Sequence, residues 1–475
     1  MNSMKAISLF IILLASFVSL KTHAKVVLPD LFSHNMVLQQ NSTIKLWGLA
    51  KPNRVVHIQP SWTNAMEVKT GKDGKWQLLL QIPKADLQPH CIQFNDGEKS
   101  ALTNIFFGEV WLCSGQSNME MTFKGFESEF VAHADSVLDH ANKDLPLRLF
   151  KVKRNSQDSP GTEVDGTWTT CTREQVERFS AVGYFFGEHL CKTLNVPVGI
   201  ILSAWGGSKV EGWMSEELVR KHSEELFNTD FADSETWKKP EVMYNGMIHP
   251  LKDFCIKGIC WYQGEANVNS PETYEAKLSD MILLWRTLWT NDSLPFLIVE
   301  IAPFAYDNGE QAADLRIAQR KVAETLPHCR FVSTNDLVLE EEEKNIHPSN
   351  KLDVGIRLAK QAACMVYGTD NSCVDYPKVK GFMRTSSDLT ILIQSDSELR
   401  LTTGSKTIEG IVAKNSEGKV LPLSFELGED RKSIVAKGTK LAEASTVSYA
   451  YGGFVLGNIQ NACGLPLMVF NEKIP

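Results

Sequence analysis

Through the middle of the chain, short apolar runs alternate with longer stretches whose apolar positions recur every three or four residues. Residues 106–113, 198–203, 256–262, 296–301 and 331–334 are brief and almost wholly apolar, which predicts strands buried on both faces. Between them, residues 272–289 place Tyr274, Leu278, Met281, Trp285 and Leu288 on one helical face. Residues 310–326 and 350–366 follow the same rhythm. Strands alternating with helices predict an α/β domain, residues 106–375, built on a parallel sheet covered on both sides. Ligands in such sheets bind beyond the carboxyl ends of the strands.

The flanks read differently. In residues 25–105 the segments 44–48, 55–58 and 76–80 are short strand candidates separated by Pro52, Asn53, Asp73 and Gly74, which predicts a small β-sandwich-like module. Residues 376–475 return to that texture at 389–393, 399–402, 433–436 and 446–451 and predict a second β-rich module. The first 24 residues read as a secretory signal: Lys5, an apolar stretch over 6–20, and a small residue, Ala24, at the cleavage point. The stretch is short for a membrane span. The expectation is an exported protein, periplasmic or secreted, with no membrane attachment once the signal is removed.

Composition narrows this only slightly. The formal charge is −8, falling to about −10 when Lys5 and Lys21 leave with the signal. With no basic stripe, nucleic acid is not an expected partner. Export makes disulfides possible for the ten cysteines. Cys113 and Cys260 sit in apolar strand contexts and are expected as buried thiols, while Cys364 with Cys373 is the expected bridge. No Cys/His spacing suits zinc or a redox pair, so neither a metal nor a cofactor is expected.

Candidate chemistry gathers at strand ends. The strand ending near Cys113 runs into Ser114-Gly115-Gln116-Ser117-Asn118-Met119. Gly115 permits a tight turn, Ser117 then faces the cleft, and its own N–H can help bind an oxyanion. The spacing half-matches a nucleophile elbow, with Met119 in place of the final glycine. A serine hydroxyl needs a neighbouring base. His347, in a loop stiffened by Pro348, is the best placed of the eleven histidines, and His249 is the rival. Trp261-Tyr262-Gln263-Gly264-Glu265-Ala266-Asn267 ends another strand in amide and acid groups. Gln263 or Asn267 is a candidate oxyanion donor there. Gly206 and Gly207, after Trp205, offer backbone N–H groups. Asn118 and Glu265 join the substrate-binding candidates.

Taken in order, the Ser-Gly-Gln-Ser-Asn-Met block, Trp-Gly-Gly-Ser, Trp-Tyr-Gln-Gly-Glu-x-Asn and Ile-His-Pro-x-Asn-Lys resemble the sialate O-acetylesterase family of the SGNH hydrolases. Residues 28–40, 179–186, 244–251 and the tail from 447 also resemble it. The resemblance implies a flavodoxin-like, three-layer α/β/α SGNH domain with flanking β modules. It implies metal-independent removal of acetyl groups from sugar hydroxyls, with sialic acid first and xylan-type polysaccharide as the alternative substrate. Ser117 matches the family nucleophile, His347 its base, and Gly206 or Gly207 its oxyanion glycine. Gln263 is favoured as the polar donor, with Asn267 kept. One position departs. Many relatives carry an Asp two residues before the His, and here it is Asn345, which cannot stabilise an imidazolium as a carboxylate does. The expectation is a Ser–His dyad first and Asp336 as the acid second, with Glu340 to Glu343 and Glu265 also near. A catalytically inactive glycan-binding protein is the reading from a different class.

Overall fold

A computed structural model describes residues 25–369, 373–385 and 388–474; the signal read over 1–24 lies outside the described residues. Seven strands form the central path: β1 (Lys99–Gly115), β2 (Leu147–Lys151), β3 (Trp168–Thr170), β4 (Val198–Ala204), β5 (Gly258–Tyr262), β6 (Phe296–Val299) and β7 (Cys329–Val332). Their spatial order is β7-β6-β5-β1-β4-β2-β3. All neighbours are parallel except β3, which runs antiparallel to β2.

Four helices cover the sheet: α1 (Ala181–Leu194), α2 (Pro271–Leu288), α3 (Gly309–Thr325) and α4 (Leu352–Tyr367). Successive residues of β1 point to opposite faces, as the pleat requires. Trp111 and Cys113 pack with Val182, Phe186, Val354 and Leu358 of α1 and α4. Val110 and Leu112 pack with Tyr274, Leu278, Met281 and Leu315 of α2 and α3. Burying each such side chain contributes about 1.5–3 kcal/mol. The helical face read from residues 272–289 is therefore the face of α2 that meets the sheet.

β1 crosses the expected boundary between residues 105 and 106 without a break. Its first part pairs antiparallel with His90–Asn95 of the amino-terminal module. Its last part pairs with β4 and β5. The strand carrying the serine block is thus anchored in both modules. The other amino-terminal strands include the pair Ser42–Leu49 and Lys75–Ile82. At the carboxyl end, Lys378–Arg384, Asp388–Gln394, Ser433–Lys437 and Ser424–Leu427 form an antiparallel sheet.

The disulfide expectation needs correction. Cys373 is bonded to Cys463, not to Cys364. Cys364 is a free buried thiol facing Arg330. Proximity in sequence misled because Cys364 lies within α4, whereas the carboxyl-terminal module brings Cys463 back to the segment after it. Cys113 and Cys260 are buried thiols on adjacent strands.

Candidate active site

The site forms where β1, β4 and β5 end side by side. Gly115 has φ +138°, and a Cβ there would lie 2.1 Å from the Tyr262 carbonyl oxygen. Only glycine lets the two strand ends close, and the chain then turns at once into a single helical turn, Ser117–Glu120. Gln116 ties the turn to the β5 loop: its Oε1 accepts N–H bonds from Gly264 (3.2 Å) and Ala266 (3.3 Å).

His347 reaches Ser117 from the loop before α4. Its own N–H donates to Asn345 Oδ1 (2.9 Å), and Asn118 Nδ2 donates to the Ile346 carbonyl (3.0 Å). Position 345 therefore shapes the loop instead of supporting the imidazole. So held, His347 Nε2 lies 2.7 Å from Ser117 Oγ. On the far side of the ring, Nδ1 lies 2.5 Å from Glu129 Oε2. Hydroxyl, imidazole and carboxylate stand in the order that lets a ring take a proton from the hydroxyl and have its resulting charge balanced. Burial is the largest influence on His347 and holds its imidazole below the ordinary range. Glu129 pulls the other way, and Lys351 adds to the lowering.

Glu129 corrects both expectations about the acid. The serine and histidine do not stand alone, and Asp336 is not the carboxylate that reaches the ring. Asp336 instead makes a two-pronged ion pair with Arg357 (2.7 and 2.6 Å). Glu342 is also occupied elsewhere, accepting N–H bonds from Leu339 and Ser349. Nothing in the local sequence marks Glu129. It lies 218 residues from His347, in an irregular segment, and matches no motif. The only pointer was Asn345, which required an acid from elsewhere.

The amide candidates are corrected too. Gln263 is fully buried, and its Nε2 faces Gln116 Oε1 (3.1 Å), the Ser208 carbonyl (3.0 Å) and Asn267 Oδ1 (2.8 Å). Two hydrogens among three acceptors leave none for an oxyanion. Asn267 Nδ2 donates to Glu211 Oε2 (2.9 Å), which is ion-paired with the buried Lys277 (2.8 Å). Both side chains brace the β5 loop. Asn118 belongs to a buried network: it donates to Glu265 Oε1 (2.5 Å) and accepts from Lys351 Nζ (2.6 Å). Burial raises the Glu265 carboxyl and lowers the Lys351 ammonium to about 8. His249 bonds the Gly161 carbonyl (2.8 Å) and is not part of the site.

Gly206 sits directly on the serine; a Cβ there would be 3.2 Å from Ser117 Cβ. Its N–H already donates to Glu120 Oε2 (2.8 Å). The N–H groups of Ser117 and Gly207 have no such acceptor among the described residues. Glu120 is in turn clasped by Arg154. Sequence reading gave no role to Arg154, which lies outside every motif. Together these groups line an open cavity of about 470 Å³, with Ser117 and His347 on its wall and Phe126 against the imidazole ring. Trp213 and Trp261 are fully buried and pack edge-on against each other in the core. Trp205, by contrast, is partly exposed, beneath Arg154. Among the described residues no cluster of His, Cys, Asp and Glu could hold a metal ion.

The family model for carbohydrate esterase, sialic acid-specific acetylesterase, matches residues 107–364. Among curated proteins, sialate O-acetylesterase of Homo sapiens is 27% identical over 73% of this chain and 72% of that protein. The Mus musculus protein of the same name is 25% identical over 88% and 87%. Among solved structures, a carbohydrate acetylesterase from Xanthomonas citri superimposes with a TM-score of 0.84 at 28% identity, covering 94% of this chain and 99% of that one.

Proposed function

Because the chain belongs to the sialic acid-specific acetylesterase family of carbohydrate esterases, we propose that Ser117, His347 and Glu129 are its catalytic triad, acting on O-acetylated sialic acid. The protein is a carbohydrate O-acetylesterase. The observation that carries the assignment of residues is the unbroken relay of 2.7 and 2.5 Å from hydroxyl through imidazole to carboxylate.

The proposed reaction runs in two steps. His347 Nε2 accepts the Ser117 proton while Oγ attacks the acetyl carbonyl carbon. The backbone N–H groups of Ser117 and Gly207 receive the developing oxyanion. His347 returns the proton to the departing sugar oxygen, leaving acetyl-Ser117. Water then attacks the acetyl carbon as the same imidazole takes its proton, and His347 returns that proton to Ser117 Oγ as the acyl bond breaks and acetate leaves. Glu129 balances the imidazolium in both steps. Each oxyanion donor is worth about 10²–10³ in rate.

The finer fold reading also belongs here. Helix pairs on opposite faces of a parallel sheet support a flavodoxin-like SGNH domain over 106–375, with β modules at 25–105 and 376–475. The apolar leader supports a periplasmic location. The Glu129 carboxylate supplies an acid where Asn345 does not, which counts against an inactive glycan-binding protein.

Acetate release from acetylated sialic acids and from acetylated xylan, compared as kcat/KM, tests substrate and mechanism together. Ser117→Ala is expected to lose turnover on every substrate. Wild-type acetate release by that variant would overturn the mechanism. A higher kcat/KM on xylan than on sialic acids would overturn the substrate.

A further inference from the structure

We propose that Arg154 selects the substrate by binding the carboxylate of an acidic sugar whose acetyl group lies at Ser117. The proposal rests on the sialic acid reading above and goes further by naming the group that recognises the acid. Arg154 is the only Lys or Arg side chain lining the Ser117 cavity among the described residues.

Its geometry suits that task. Nε donates to Glu120 Oε1 (2.8 Å) and Nη2 to Glu120 Oε2 (2.6 Å). A guanidinium has five N–H donors, so three remain for other partners. The pair is also polarised. The Glu120 side chain is 8% exposed and receives the Gly206 N–H as well, whereas Arg154 is 50% exposed. The negative end is therefore turned inward and the positive end toward the cavity. Below it, the guanidinium carbon lies 5.4 Å from the Trp205 ring centre. Clasped on one edge and supported by an aromatic ring, the group is oriented before substrate arrives, which lowers the entropy of capturing a carboxylate.

Because Arg154 also holds Glu120, and Glu120 holds Gly206, replacing it will disturb catalysis generally. A comparison within each enzyme form removes that effect. The substrates are an acetylated sialic acid and its carboxyl methyl ester, with acetate as the only product counted. Positioning effects act on both alike, whereas recognition acts on the free acid alone. Hydrogen bonds to a charged group predict that the wild-type enzyme prefers the free acid by about tenfold or more in kcat/KM. The preference is expected to fall to near one in Arg154→Gln and to persist in part in Arg154→Lys. A wild-type ratio near one overturns the proposal while leaving the sialic acid reading intact. A high ratio unchanged in Arg154→Gln overturns it as well. Failure to release acetate from either sialic acid, with neutral acetylated sugars still cleaved, overturns the substrate reading and this proposal together. Should Arg154→Gln not fold, inhibition of chromogenic acetate ester hydrolysis by unacetylated sialic acid and by its methyl ester decides on the wild-type enzyme. Equal inhibition by the two rules the proposal out, and inhibition by the acid alone supports it.

Discussion

At Nδ1 of His347, a 2.5 Å contact with Glu129 fixes the ring with Nε2 toward Ser117. Glu129→Gln keeps the size but removes the charge, and an amide can present its NH₂ and favour the wrong tautomer. The same kind of change in serine proteases costs about 10⁴ in kcat, and a loss of about 10³- to 10⁴-fold is expected here. The pH profile gives an independent sign. The base must be neutral to work, so activity falls as pH drops through the imidazole pKa, which burial already holds below the ordinary value. Glu129 raises that pKa, so in Glu129→Gln the acid limb of kcat/KM moves to lower pH. Lys351 lowers it, so in Lys351→Met the limb moves to higher pH. The second variant also leaves the buried Glu265 and Glu342 without their nearby cation, and removing one partner of a buried charge pair costs about 3 kcal/mol or more. Limbs that move together, or not at all, would show that these charges do not reach the ring. Ser117 and His347 were legible because each sits in a compact motif at the end of a strand or the start of a helix. Glu129 and Arg154 were not, because contacts across 218 and 34 residues leave no local trace.

The element carrying Glu129 explains why no pattern announced it. After the one-turn helix, the chain leaves periodic structure and passes over His347 as a strap. Phe126 and Glu129 exchange backbone hydrogen bonds (3.0 and 3.2 Å), Ala132 N–H donates to the Ser349 carbonyl (2.9 Å), and Phe126 packs on the imidazole. The turn depends on Gly125, whose φ is +74° and whose Cβ, if present, would lie 2.1 Å from the Glu129 carbonyl oxygen. In Gly125→Ala the left-handed conformation alone costs about 1–2 kcal/mol, and the clash must push Glu129 away. A displacement near 1 Å in catalytic geometry can cost about 10²-fold. The expected result is a kcat reduced by up to that factor with a melting temperature only slightly lower. A normal kcat would show that the strap tolerates the shift. By contrast, strands and helices with a strong period were readable to within a few residues: α2 spans Pro271–Leu288 against a reading of 272–289. α1 went unread as a helix because residues such as Val182, Tyr184, Phe185 and Phe186 are all buried, leaving little polar face to set a period. β2 escaped because Arg148 and Lys151 break its apolar run, although Arg148 is itself buried and donates to the Leu145 carbonyl.

On the scale of the whole molecule, the catalytic sheet and the carboxyl-terminal module are joined by buried polar contacts and one covalent link. Arg316 of α3 is buried and donates to the carbonyls of Ala450 (3.2 Å) and Gly452. Cys373, just after α4, is bonded to Cys463 across 90 residues of sequence. Closing a loop of that length removes denatured-state entropy worth at most about 4–5 kcal/mol in the chain-entropy model. The bond borders a cavity with Asp336 and Arg357, distinct from the one that holds Ser117. Its stability and the enzyme's activity should therefore separate. Replacing both cysteines with serine is expected to lower the melting temperature and to speed proteolysis of the carboxyl-terminal strands, with kcat/KM near wild type. Reductant should reproduce the loss of stability in the wild-type protein and do nothing further to the double variant. If activity fell in step with stability, the carboxyl-terminal module would be holding the catalytic loops in place. The contact to test next would then be Arg316, because α3 also packs beneath β6 and its Gln319 donates to the carbonyl of the buried Gln263, which braces the β5 loop (2.9 Å).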